Sequence, residues 1–117
     1  MFDLARAGDT AELTECVDAG LPVNLTNAKG DTLLILAAYH AHPETVGALL
    51  ARGADPSRTN DRGQTALAAA AFRSCAPAVA ALLAAGADPD HGNPSARATA
   101  AFFDLPEMTA LLAGDES

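Results

Sequence analysis

A four-residue segment, Gly-Ala-Asp-Pro, occurs twice in the sequence, at 53–56 and again 33 residues later at 86–89. The segment before each copy is repeated in the same register, since Ala-Leu-Leu-Ala stands at 48–51 and at 81–84. A match of this length predicts tandem repeats with a period of 33 residues. Such repeats bury their apolar faces against their neighbours, so we expect an elongated stack without a single central core.

Each repeat divides into two short helices and a finger, by which we mean the turn-rich segment that leads to the next repeat. The hydroxyls of Thr32 and Thr65 can cap the first helix of a repeat. Pro43 suits the first turn of the second helix, and Gly53 can end it in the left-handed conformation. The predicted helices are about 2–7, 10–19, 33–40, 43–52, 66–73 and 77–85, and Thr10 is predicted to cap the second of them. The predicted fingers are 21–31, 54–64 and 88–92. A fourth repeat follows, in which Pro106 corresponds to Pro77.

Apolar positions recur with the same period and predict the core. They are Leu34, Ala37, Ala38, Val46, Leu49 and Leu50, and then Leu67, Ala70, Ala71, Val79, Leu82 and Leu83. Cys16 is in the frame of Leu49, whereas Cys75 falls in a turn more than a repeat further along. That separation is too large for a disulfide, so both thiols are expected to stay reduced.

The pattern Gly-x-Thr-x-Leu, then Ala-Ala, then Val-x-x-Leu-Leu-x-x-Gly-Ala-Asp resembles the ankyrin repeat, and the resemblance extends through nearly the whole chain. It implies an all-α solenoid of about four helix-turn-helix repeats joined by short β-hairpin-like fingers, in a small protein of the bacterial type. We expect one domain, 1–117, with repeats at about 1–20, 21–53, 54–86 and 87–117. The Pro and His that often follow the Thr of this repeat are absent here, so adjacent repeats should depend more on apolar packing.

Composition restricts the function. The net charge of −8 disfavours binding to nucleic acid or to an anionic membrane. No apolar run approaches the roughly 18 residues of a membrane span, and the N-terminus lacks a signal pattern, so we expect a cytoplasmic protein.

The sequence shows none of the common catalytic or phosphate-binding motifs. No nucleophile elbow, phosphate-binding glycine loop or zinc-protease motif occurs. His40 and His42 are two residues apart and should point in different directions, and His91 is expected on the surface. The early acidic residues Glu12, Glu15 and Asp18 have the spacing of a solvated helix face. We therefore predict no catalytic residue, no cofactor, no metal site and no enzymatic activity.

A solenoid has no enclosed cavity for catalysis but offers an extended surface for another macromolecule. The leading hypothesis is a monomeric module that binds a partner protein, of unknown identity and with an acidic surface, through its concave face. The resemblance implies contact positions at the finger tips and first helices: Arg6, Lys29, Asp31, Tyr39, His40, Arg62, Gln64, Phe72, Arg73 and Phe102, with Ala28, Asp61 and His91 beside them. This set holds four of the seven Lys/Arg residues and three of the five aromatic residues. A self-associating or spacer module is the alternative, and a small-ligand-binding protein or enzyme is less favoured.

Overall fold

The computed structural model describes residues 2–113. Over that range the chain forms eight helices in four consecutive pairs. The helices are α1 (Phe2–Ala7), α2 (Thr10–Asp18), α3 (Leu33–Tyr39), α4 (Pro43–Ala51), α5 (Ala66–Phe72), α6 (Ala76–Ala84), α7 (Ala96–Phe102) and α8 (Pro106–Leu112). The only β-pairing in the described range is two isolated antiparallel bridges in the fingers, Thr26 with Thr32 and Gly92 with Ser95. The all-α repeat fold expected from the sequence is confirmed.

The first helix of the second, third and fourth pairs begins at a hydroxyl cap. The Oγ1 atom of Thr32 accepts a hydrogen bond from the Ile35 amide at 3.0 Å, and Thr65 accepts one from the Ala68 amide at 3.1 Å. Ser95 caps α7 in the same way. These bonds satisfy amides that the helix itself leaves without a partner, which fixes where each of these helices starts.

The predicted cap at Thr10 is wrong. Asp9 is the N-cap residue of α2, without a side-chain cap, and Thr10 is already helical. The Thr10 hydroxyl instead lies 2.6 Å from the hydroxyl of Thr45, which is buried in α4. A buried hydroxyl needs a hydrogen-bond partner, and Thr10 provides one across the interface between the two repeats.

The helices stack in two layers. The inner layer contains α1, α3, α5 and α7, the outer layer contains α2, α4, α6 and α8, and each helix contacts its pair partner and its neighbours in the layer. All the predicted core positions are buried except Leu50 and Leu83, which are partly buried and pack against the core. Consecutive helix positions are about 100° apart, so Leu49 and Leu50 cannot both face the centre of the layers.

Two asparagines fix the shape of the fingers. Asn27 accepts hydrogen bonds from the amides of Lys29 and Asp31, and Asn60 accepts them from the amides of Arg62 and Gln64. The side-chain amide of Asn60, which is only 8% exposed, also donates to the Asp31 carboxylate at 2.8 Å. The finger tips are therefore joined to one another as well as folded locally.

Asp55 and Asp88, which follow the helix-ending glycines, also form hydrogen bonds within their own fingers. Their carboxylates accept hydrogen bonds from the amides of Ser57 and Asp90, each at 2.9 Å. Both cysteines are free thiols and partly buried. No helix among residues 2–113 is long and apolar enough to cross a membrane.

Candidate protein-binding groove

A groove runs across the inner layer beneath the fingers and contains two adjoining pockets. The first, which we call the cationic pocket, has a volume of about 360 Å³ and lies between α1, α3 and the first two finger tips. The second, the aromatic pocket, has a volume of about 260 Å³ and lies between α3, α5 and α7. Tyr39, Gln64 and Ala69 line both, so the two pockets are neighbours that share a wall.

The structure brings most of the predicted contact residues to this groove. The cationic pocket is lined by Arg6, Lys29, Asp31, Tyr39, His40, Arg62 and Gln64, with Ala28 beside them. Phe72 lines the aromatic pocket. Arg73 and Phe102 are not among the lining residues of either pocket, and neither are Asp61 and His91.

An aromatic row crosses the groove because two aromatic residues end successive inner helices. Tyr39 is the last residue of α3 and Phe72 the last residue of α5. Their rings are stacked with centroids 6.1 Å apart, yet they are 44% and 42% exposed. Arg73 supports this pair, since its guanidinium donates to the Tyr39 carbonyl at 2.9 Å and so ties the end of α5 to the end of α3.

Phe103 is a groove residue that sequence reasoning missed. Its ring meets the ring of Phe72 edge-on at 5.1 Å, is 49% exposed and lines the aromatic pocket. The repeat register selects Phe102 instead, because Phe102 is the last residue of α7, just as Tyr39 is the last residue of α3 and Phe72 the last residue of α5. Phe102 is 81% exposed and contacts the Phe103 ring. The available signal was the pair of adjacent phenylalanines at the end of α7, since either ring could have faced the groove.

The groove also holds basic side chains that lack acidic partners. Four arginines of the described chain form ion pairs, namely Arg6 with Asp3, Arg52 with Asp18, Arg58 with Asp55 and Arg97 with Asp90. Lys29 and Arg62, both on finger tips that line the cationic pocket, form none with residues 2–113. Their ammonium and guanidinium groups are available to an anionic ligand.

His40 is the C-cap of α3 and contacts the Tyr39 ring edge-on at 5.3 Å. Partial burial lowers the pKa of His40 from its ordinary value of 6.5, and the nearby His42, Arg73 and Arg6 lower it further. The imidazole is therefore mainly neutral at pH 7, and the unpaired positive charge of the pocket comes from Lys29 and Arg62, since Arg6 is paired with Asp3.

The other two histidines join neighbouring repeats and do not line the groove. His42 forms a hydrogen bond through Nε2 with the Arg6 carbonyl at 2.7 Å, and His91 does so with the Ser57 carbonyl at 2.9 Å. Throughout residues 2–113, no three His, Cys, Asp or Glu side chains are grouped so that they could hold a metal ion.

Comparison with known proteins agrees with the architecture. The profile of the family described as ankyrin repeats (3 copies) matches residues 2–93. The chain belongs to the ankyrin repeat family. Ankyrin repeats are generally protein-interaction modules.

Curated relatives match only parts of the chain. It is 54% identical over 46 residues to an ankyrin repeat protein of Pseudomonas aeruginosa, a stretch that covers 39% of this chain and 27% of that protein. It is 42% identical over 59 residues to the oxysterol-binding protein-related protein 1 of Rattus norvegicus and of Mus musculus, which covers 49% of this chain and 6% of each. The chain thus spans about a quarter or less of the length of these relatives.

Proposed function

We propose that the chain binds a partner protein in the groove formed by its fingers and inner helices. The observation that carries this proposal is the exposed aromatic row, in which Tyr39, Phe72 and Phe103 are each more than 40% exposed although they contact one another. Contiguous exposed apolar surface of this kind marks interaction sites. Tyr and Phe are also enriched at the centres of protein interfaces.

The groove is held in shape before a partner arrives. The finger tips are fixed by Asn27 and Asn60, and the Arg73 guanidinium ties α5 to α3. Binding therefore requires little ordering of the backbone, which lowers the entropic cost of association. We place this activity in the reducing cytoplasm, where the partly buried free thiols of Cys16 and Cys75 are stable, and we propose that the free protein is a monomer.

The test begins with affinity capture from the native host and continues with the affinity of the recovered partner for groove variants. Tyr39→Ala should weaken binding by about 30-fold, which corresponds to about 2 kcal/mol for a central aromatic contact. Arg62→Glu should also weaken it. Glu44→Ala is the control, because Glu44 is exposed in the first turn of the outer helix α4.

Affinity capture of a partner does not by itself support the groove as the binding site, because the partner could bind any surface of the protein. A partner that binds Tyr39→Ala, Arg62→Glu and the unmodified protein equally well would place the interface outside the groove. Sedimentation velocity at several protein concentrations separates this proposal from self-association, because a self-associating module would sediment faster as its concentration rises, without any partner.

A further inference from the structure

The charge distribution around the groove is opposite to that of the rest of the chain. The protein has 15 Asp/Glu and seven Lys/Arg residues, yet the cationic pocket is lined by three basic residues, Arg6, Lys29 and Arg62, and by one acidic residue, Asp31. The Asp31 carboxylate is already engaged by the Asn60 amide at 2.8 Å. Arg6 is paired with Asp3, but Lys29 and Arg62 have no acidic partner among residues 2–113, so these two side chains form a local site of positive potential in an acidic chain.

The neighbouring aromatic pocket has a different chemistry. Its sides are the rings of Tyr39, Phe72 and Phe103, and its base includes the small side chains of Ala68 and Ala69, which are 5% and 7% exposed. Because these alanines are small and the surrounding aromatic residues are large, the pocket has room for one apolar side chain of a ligand. Such a side chain would gain stacking and edge contacts with the aromatic row.

The spacing of the two pockets sets the spacing of the groups that can fill them. The cationic pocket lies over α3 and the aromatic pocket over α5, so they are about one helix-to-helix distance apart, roughly 8–10 Å. An extended chain in the polyproline II conformation advances about 3.1 Å per residue and has three residues per turn, so side chains three residues apart point to the same side and lie about 9 Å from each other. A helix advances only about 1.5 Å per residue and would need about five to seven residues.

We propose that the groove takes an extended acidic segment of the partner protein, with a carboxylate in the cationic pocket and a large apolar side chain three residues away in the aromatic pocket. The carboxylate lies on the side of α1 and the apolar residue on the side of α7. This inference rests on the proposed function and adds to it the chemistry and conformation of the bound segment.

The experiment is selection of peptides from a random dodecapeptide display library on the full-length protein, followed by fluorescence anisotropy with the most enriched peptide. The enriched peptides should carry Asp or Glu and an aromatic or large aliphatic residue three positions apart. Arg62→Glu and Phe103→Ala should each weaken binding of that peptide by about tenfold or more. Binding should also weaken as the salt concentration rises, because the charge contact is screened.

Two matched controls come from the chain itself. Arg58→Glu makes the same charge change on the same finger as Arg62→Glu, but Arg58 does not line the groove. Phe2→Ala removes a ring of the same size from α1, outside both pockets. Each should leave peptide affinity within about twofold of the unmodified protein, as peripheral contacts do. A peptide with Lys in place of its acidic residue should bind Arg62→Glu more tightly than it binds the unmodified protein.

The outcomes separate this inference from the proposed function. Enriched peptides that are basic or uncharged but still lose affinity in Tyr39→Ala would overturn the acidic segment and leave the groove as the binding site. A spacing of about five to seven residues would overturn the extended conformation. Enriched peptides that are insensitive to Tyr39→Ala, Arg62→Glu and Phe103→Ala would overturn both proposals, and a selection without enrichment would overturn this inference.

Discussion

Leu49 and Leu50 are adjacent residues of α4 that give an internal test of the two-layer packing. Leu49 is fully buried, whereas Leu50 is partly buried at the margin of the core. Leu49→Ala removes three carbon groups from the interior, at about 0.8 kcal/mol each, or about 2.4 kcal/mol in all. The enclosed cavity adds to this, so we expect a total loss of about 3–4 kcal/mol.

Leu50→Ala removes the same atoms from a site that opens to water, so it should cost only about 1–2 kcal/mol. The assay is urea denaturation followed by far-ultraviolet circular dichroism, with the free energy of unfolding taken from the midpoint when the slope is unchanged. A cost for Leu50→Ala that equals or exceeds the cost for Leu49→Ala would refute the assignment of the two side chains.

Three further predictions concern the fingers, the thiols and pH. Asn60→Ala should lower the free energy of unfolding by about 1–3 kcal/mol in the same assay. The Asn60 side chain accepts hydrogen bonds from the backbone amides of Arg62 and Gln64 and donates one to the Asp31 carboxylate, and the substitution removes all three. Cys16 and Cys75 should both be alkylated in denaturant without reductant, and intact mass showing an unmodified thiol would contradict this. The pKa of His40 is lower in the folded protein than its ordinary value of 6.5, so the unfolded protein binds a proton there more readily as the pH falls. The free energy of unfolding should therefore decrease as the pH drops below about 6.5. His40→Gln should make this dependence on pH less steep in denaturant titrations.

The repeat register predicted the helices closely because many of their boundaries carry a local chemical signal. The Thr32 hydroxyl and the left-handed backbone of Gly53, with φ of 91°, act through local geometry that depends on residue type. Thr10 was mispredicted because residue type alone does not show whether a hydroxyl bonds its own helix or a neighbour. The position of Thr45 on the adjacent helix decides this, and that is a tertiary contact.

The groove was predictable in position but not in detail. Register places Tyr39 and Phe72 at equivalent helix ends, and the structure stacks their rings. Register cannot show which charges are paired: Arg58 and Arg62 lie on one finger, but of the two only Arg58 forms an ion pair within residues 2–113. It also selected Phe102 over Phe103, because the direction of a ring after a helix end depends on the backbone of the following turn.

The unequal lengths of the fingers explain why the groove is cationic at one side and aromatic at the other. The first two fingers carry tips folded around Asn27 and Asn60, and those tips present Lys29 and Arg62. The connection that holds the third finger, between α6 and α7, is three residues shorter than the two before it and carries no such tip, and Pro94 lines the groove there. Without a basic tip beside it, the Phe103 ring faces an apolar pocket. Restoring a full-length third finger should therefore cover the aromatic pocket and weaken any ligand that depends on it, while leaving the contacts of Lys29 and Arg62 intact.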